Sequence, residues 1–211
     1  MVIIKKITGL FVVFLLLFSC NSFAQNNSNI NFFVGGGMGF PVPQLDYSGY
    51  ADSYNFGGGV AGGLSFKILP RFSFRTTVSY HRLRFDEEQF MRTAEIQNSG
   101  FSVDGGAEKL FGLMGDFKYA LRSDTHAIRP YLFGGYGAYR ITEIGIYFPE
   151  NEPSFVGSEY HYWAQTLKGG IGIGIGQFNN VDFFGEISIS ASFPESGESI
   201  LYVPLTVGVI L

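Results

Sequence analysis

Leu167-Lys168-Gly169-Gly170-Ile171-Gly172-Ile173-Gly174-Ile175-Gly176 sets every second residue apart from its neighbours. Ile171, Ile173 and Ile175 share one face, and Lys168, Gly170, Gly172, Gly174 and Gly176 share the other, which is the period of two of a β-strand. Gln177-Phe178-Asn179-Asn180 then turns the chain, and the return stretch to Phe193 alternates again. Val181, Phe183, Ile187, Ile189 and Phe193 form an oily face, and Asp182, Glu186, Ser188, Ser190 and Ser192 a polar one. A sheet facing water on one side carries Lys, Glu and Thr there, not a glycine ladder with isolated charges. The hairpin therefore reads as the wall of a barrel in a membrane, with its oily face toward lipid.

Composition and connection lengths extend that reading to the whole chain. Among 211 residues are 29 Gly, 23 Phe and 12 Tyr, and only 15% are charged, against roughly 25% charged in soluble domains. No apolar run beyond the N-terminus reaches the ~20 residues of a membrane helix, so any crossing is made by strands. Further alternating segments are Ile30–Phe40, Tyr54–Lys67, Phe72–Phe85, Ala107–Leu121, Arg129–Arg140 and Ile200–Leu211, with the hairpin strands between the last two. Tyr54, Phe56, Val60, Leu64 and Phe66 are expected on the lipid face of the second. Asp86–Gly106 is expected to be a polar loop, and Ile144–Phe148 to continue the fifth strand beyond the membrane. The expected fold is an all-β, eight-stranded antiparallel up-and-down transmembrane β-barrel, with long and short connections alternating as in outer-membrane proteins.

Residues 1–24 have the layout of a secretory signal peptide: Lys5 and Lys6, the apolar run Leu10–Phe18, then Ser22-Phe23-Ala24 before Gln25. Cleavage after Ala24 leaves 25–211 as the barrel domain and takes the net charge from −4 to −6, since both lysines leave with the peptide. Leu17-Phe18-Ser19-Cys20 is an alternative lipoprotein site. Cys20 is the only cysteine, so a chain cut after Ala24 holds no disulfide or thiol.

Arg129-Pro130-Tyr131-Leu132-Phe133-Gly134-Gly135-Tyr136-Gly137-Ala138-Tyr139-Arg140, the glycine-aromatic first strand and the ending Tyr202–Leu211 resemble the outer membrane protein β-barrel domain family. That family includes the OmpA membrane domain, OmpX and opacity-type adhesins. The resemblance covers Ile30 to Leu211 and implies location in the outer membrane of a Gram-negative bacterium and insertion by the barrel-assembly machinery.

Charge placement suggests the site chemistry. Arg75, His81, Glu108, Asp116, Lys118, Arg140, Lys168 and Glu186 are expected in the lumen, where buried charges demand partners and eight strands leave room only for side chains. Arg75, Asp116, Lys118 and Glu186 are expected near the periplasmic end, and the other four near the outer end. Arg82, Arg84 and Lys109 share the parity of lipid-facing Tyr80 and Phe111, so they are expected at the outer headgroups in contact with lipopolysaccharide phosphates, with Asp86, Glu87 and Glu88 as competing partners. The four long connections hold twelve acids, from Asp46 to Glu198, against one arginine, Arg92. They suit solubility, or an extracellular partner or cation.

The function classes divide accordingly. A structural or adhesive surface barrel is expected, with no catalytic residues, metal or cofactor; the alternative is a lipid A-modifying enzyme using Ser79, His81 and Glu108. Both Ser79 and His81 face the lumen, which disfavours access by acyl chains. Gly57–Gly62 matches a dinucleotide pattern but lies within a strand with no helix after it, and the acidic balance speaks against nucleic acid.

Overall fold

Backbone hydrogen bonds oblige an alternating strand to find neighbours on both sides, and in this chain the last strand returns to the first. The computed structural model describes residues 30–42, 54–93, 106–122, 126–143, 160–178, 181–195 and 199–211. The strands are β1 (Ile30–Pro41), β2 (Tyr54–Leu69), β3 (Phe72–Phe85), β4 (Glu108–Ala120), β5 (Ile128–Glu143), β6 (Tyr160–Phe178), β7 (Val181–Pro194) and β8 (Ile200–Ile210). Each pairs antiparallel with its sequence neighbours, and β1 with β8, from Phe33↔Ile210 to Pro41↔Tyr202, closes the barrel. Closure leaves no edge strand, which is the condition for a sheet to cross lipid.

The outside is apolar in a continuous belt. Val78, Phe117, Leu132, Ile171, Ile189 and Val207 are exposed, Val207 to 62%. A soluble monomer rarely carries so large an apolar surface. No helix among the described residues is long and apolar enough to cross a membrane.

The strand positions agree with the alternation, but two local features depart from it. Tyr54 does not face lipid. A bulge between Asn55 and Gly58 shifts the register of β2 against β3, so Tyr54 pairs with inward Phe85 at 5.9 Å between ring centroids and packs on the interior. One extra residue inverts the parity of everything beyond it. The loop after β3 opens as a helix, α1 (Glu87–Thr93). The Asp86 carboxylate accepts the Gln89 amide at 3.0 Å, an N-cap, while Phe90 is buried 5.5 Å from the Phe85 ring. Residues 1–29, 144–159 and 179–180, with the expected signal peptide, the β5 extension and the Asn179-Asn180 turn, lie outside the described residues, as do most of the loop acids.

Candidate functional site: the barrel lumen and its two mouths

The inward side chains form two layers. Toward the short-turn end, Arg75 of β3 reaches across the barrel to Glu186 of β7, its Nη1 donating to Oε1 at 2.5 Å and its Nη2 to Oε2 at 3.2 Å. Nη2 also donates to Asp116 Oδ2 of β4 at 3.4 Å. Thr77 donates to the same Asp116 oxygen at 3.0 Å, and the Tyr131 hydroxyl donates to Glu186 Oε1 at 2.8 Å. The guanidinium lies 5.0 Å from the Phe33 ring centre and 5.2 Å from that of Phe133. All three ionic residues are buried. Two carboxylates on one guanidinium leave a negative excess. Lys168, whose Nζ is 5.2 Å from the Phe133 centroid, offsets it, and Lys118 lies 3.7 Å over the Tyr131 ring. Burial of such ions is tolerable only with pairing and hydrogen bonds, and here Arg75 Nε and Asp116 Oδ1 are still left without a hydrogen-bond partner.

Toward the long-connection end the interior holds an apolar cluster beside buried polar residues, among them Thr166 and Ser192, whose hydroxyls bond at 2.8 Å. Leu83, Leu110, Met114, Tyr139, Ile141, Ala164, Ile200 and Tyr202 form one buried cluster. His81 sits below it against the Tyr202 ring, 5.8 Å between centroids, with no hydrogen-bond partner on Nδ1. Ser79 Oγ bonds Tyr139 at 3.2 Å. Glu108 is buried opposite Leu83, in the apolar layer rather than among the ions.

Two sequence expectations need correction. Arg140 is not in the lumen: it is exposed, between outward Phe111 and Trp163. Strand β5 carries aromatics on both faces, inward Tyr131, Phe133 and Tyr139 and outward Tyr136, so its parity is hard to read from composition. Lys168 belongs to the ionic layer and not to the outer end, since it shares the Phe133 ring with Arg75. Thr77, inward by its parity in β3, and Tyr131 join the ionic layer through hydrogen bonds, a role that uncharged side chains do not announce in the sequence. Their signal was inward parity beside Arg75 and Glu186.

Outside, the amphipathic pattern reverses near the long connections. Arg82 and Arg84 point out while Leu83 points in, and Lys109 and Arg140 point out while Leu110 and Ile141 point in. Arg82 pairs with Lys109, and Arg140 lies one row nearer the apolar belt. Of the acids expected to compete for them, Asp86 caps α1 and accepts from Asn55 at 2.5 Å, and Glu88 pairs with Arg92 at 2.5 Å.

At the other mouth, a cavity of about 670 Å³ is lined by Lys67, Arg71, Lys118, His126 and Arg129 together with Asp182. Arg129 Nη2 meets Asp182 Oδ2 at 2.5 Å, passing beside the bare backbone of Gly174. Among the described residues no cluster of metal-ligating side chains occurs.

No family model matches the chain, and no curated protein does. Among solved structures, the barrel is similar to Neisserial surface protein A at 13% identity, over 87% of this chain and 97% of that one, with a TM-score of 0.56. It is also similar to a major outer membrane protein from Thermus thermophilus at 14% identity, over 86% and 98% respectively, with a TM-score of 0.54. At such identity the likeness is one of fold, and the fold is that of the small outer-membrane β-barrels.

Proposed function

We propose that this outer-membrane barrel is a surface protein of structural or adhesive type, working through its long acidic connections and not through its lumen. The observation that carries this reading is the burial of both inner layers. The Arg75–Glu186–Asp116 ions and the Leu83–Tyr202 cluster occupy the path a solute would follow, as expected where eight strands leave room only for side chains. The long connections, by contrast, carry the acidic excess of the sequence. The short turns then face the periplasm, the chain having been exported by the signal peptide over 1–24 and inserted by the barrel-assembly machinery. The inward placement of Ser79 and His81 supports a role without catalysis, because acyl chains outside the wall do not meet a nucleophile inside it.

Lipopolysaccharide is the proposed lipid partner. Arg82, Arg84, Lys109 and, added by the structure, Arg140 lie where outward residues change from apolar to basic, the level of the outer phosphates.

The surface role is tested on cells displaying the barrel. Parent cells are expected to bind a basic probe, fluorescent polylysine, more than cells displaying a variant with Glu87, Glu88, Glu95 and Asp104 changed to Gln or Asn. Equal binding at equal surface display overturns the assignment of interaction to the acidic connections.

A further inference from the structure

The short-turn mouth has a charge opposite to that of the rest of the molecule. The chain carries 18 acids against 14 lysines and arginines. Yet the cavity there is lined by Lys67 from β2, Arg71 from the β2–β3 turn, Lys118 from β4, Arg129 from β5 and His126 just before it, with Asp182 the one acid among its described lining residues. Arg129 already engages that acid. The uncharged lining includes Asn31, Ser65 and Ser73, all able to donate hydrogen bonds, and Tyr131, whose hydroxyl is already donated to Glu186. A volume of about 670 Å³ lies within the range of small-molecule pockets.

The cations come from separate strands and a turn on the β2–β5 side of the mouth, held apart by the closed sheet, so they line a concave space and do not form a stripe along one strand. Low-dielectric walls lined by one sign of charge focus the potential into that space. Lys118 and Tyr131 both line it, the Lys118 ammonium over the Tyr131 ring. Arg129 lines the cavity, and its Nε, like Asp182 Oδ1, is buried without a hydrogen-bond partner, so the ion pair with Asp182 does not use every donor of the guanidinium.

We propose that this mouth is a binding site for a small multivalent anion of the phosphate class, held by Lys67, Arg71, Lys118 and Arg129. The anion is either free in the compartment or the headgroup of a lipid at the rim. The site does not depend on the surface role assigned to the long connections, since it rests on the opposite end of the barrel.

The test uses the full barrel in nanodiscs of neutral phosphatidylcholine at low salt, with inorganic pyrophosphate as the probe and backbone amide shifts as the readout. Saturable shifts are expected at Ser65, Ser73, Lys118 and Arg129. Lys118→Gln, or the exposed Lys67→Gln should the first fail to fold, weakens binding by about tenfold, the loss of one charge-assisted contact. Asp182→Asn frees Arg129 and strengthens binding, an outcome that mere structural damage does not produce. Discs containing phosphatidylglycerol separate the sources. If a headgroup is the ligand, the same amides are already shifted before pyrophosphate is added, and pyrophosphate displaces it; if the anion is free, the lipid changes nothing. Absence of saturable shifts in both lipids, or shifts indifferent to both lysine substitutions, overturns the proposal.

Discussion

Gly172 shows why the inner face of β6 is a ladder of glycines. A Cβ built there runs into the Tyr131 ring, and one on Gly170 meets Ser188, Ile187 and the Phe133 ring. The aromatic residues of β5 therefore lie over the bare backbone of the next strand, which brings the Tyr131 hydroxyl to Glu186. Gly169, next to Gly170 and on the outer face, has nothing within 4 Å of its would-be Cβ. Gly172→Val is accordingly expected to lower unfolding stability in bilayers by about 1–3 kcal/mol, the usual range for overpacking. Gly169→Val, adding an apolar side chain to the lipid face, should leave stability unchanged or raise it. Urea titrations of the two variants check this, and equal losses would contradict the assignment of the two faces. At the same scale, removing one partner of a buried ion pair costs about 3–5 kcal/mol. Glu186→Gln, which leaves Arg75 with Asp116 alone, should show a loss of that order in the same assay.

Along a single strand, the reversal of pattern marks where lipid ends. Outward residues of β3 run Phe72, Phe74, Thr76, Val78 and Tyr80 before Arg82 and Arg84, and the inward residue between the two arginines is buried Leu83. Beyond Tyr80 the alternation of β3 is that of a soluble protein, with Arg82 and Arg84 outside and Leu83 within. Long cationic side chains at that boundary extend toward the headgroups. Neutralising Arg82, Lys109 and Arg140 together should therefore abolish the stabilisation that lipopolysaccharide adds to the parent, and leave stability in phospholipid alone nearly unchanged. Unfolding midpoints in bilayers with and without lipopolysaccharide measure both. An equal gain in parent and variant would remove these residues from the contact. The alternation of β3 and β4 was plain in the sequence, and so were the faces of Arg82 and Lys109. That of Tyr54 was not, because the bulge at Asn55/Gly58 is a property of pairing with β3 and leaves no mark in β2 alone.

For the whole molecule, closure by β1 and β8 joins the first and last strands of the chain and predicts resistance to cold detergent. The folded barrel should migrate differently on a gel with and without boiling. The proposed filling of the lumen by its ionic and apolar layers predicts no steady conductance for the purified protein in planar bilayers; stable channel openings would contradict it. The strand number, the lipid-facing positions of most strands, and the inward course of Arg75, Asp116 and Glu186 follow from the sequence by itself, because a period of two is local and needs no knowledge of neighbours. Which charges meet was decided only by the tertiary structure. Arg75 finds Glu186 across the barrel, four strands away, and shares Phe133 with Lys168, distances that depend on how the closed sheet staggers. Arg140 went to the outer face because register with Phe111 and Trp163, not its charge, determines where it points. The basic mouth likewise exists only after closure, which brings Lys67, Lys118 and Arg129 around one cavity.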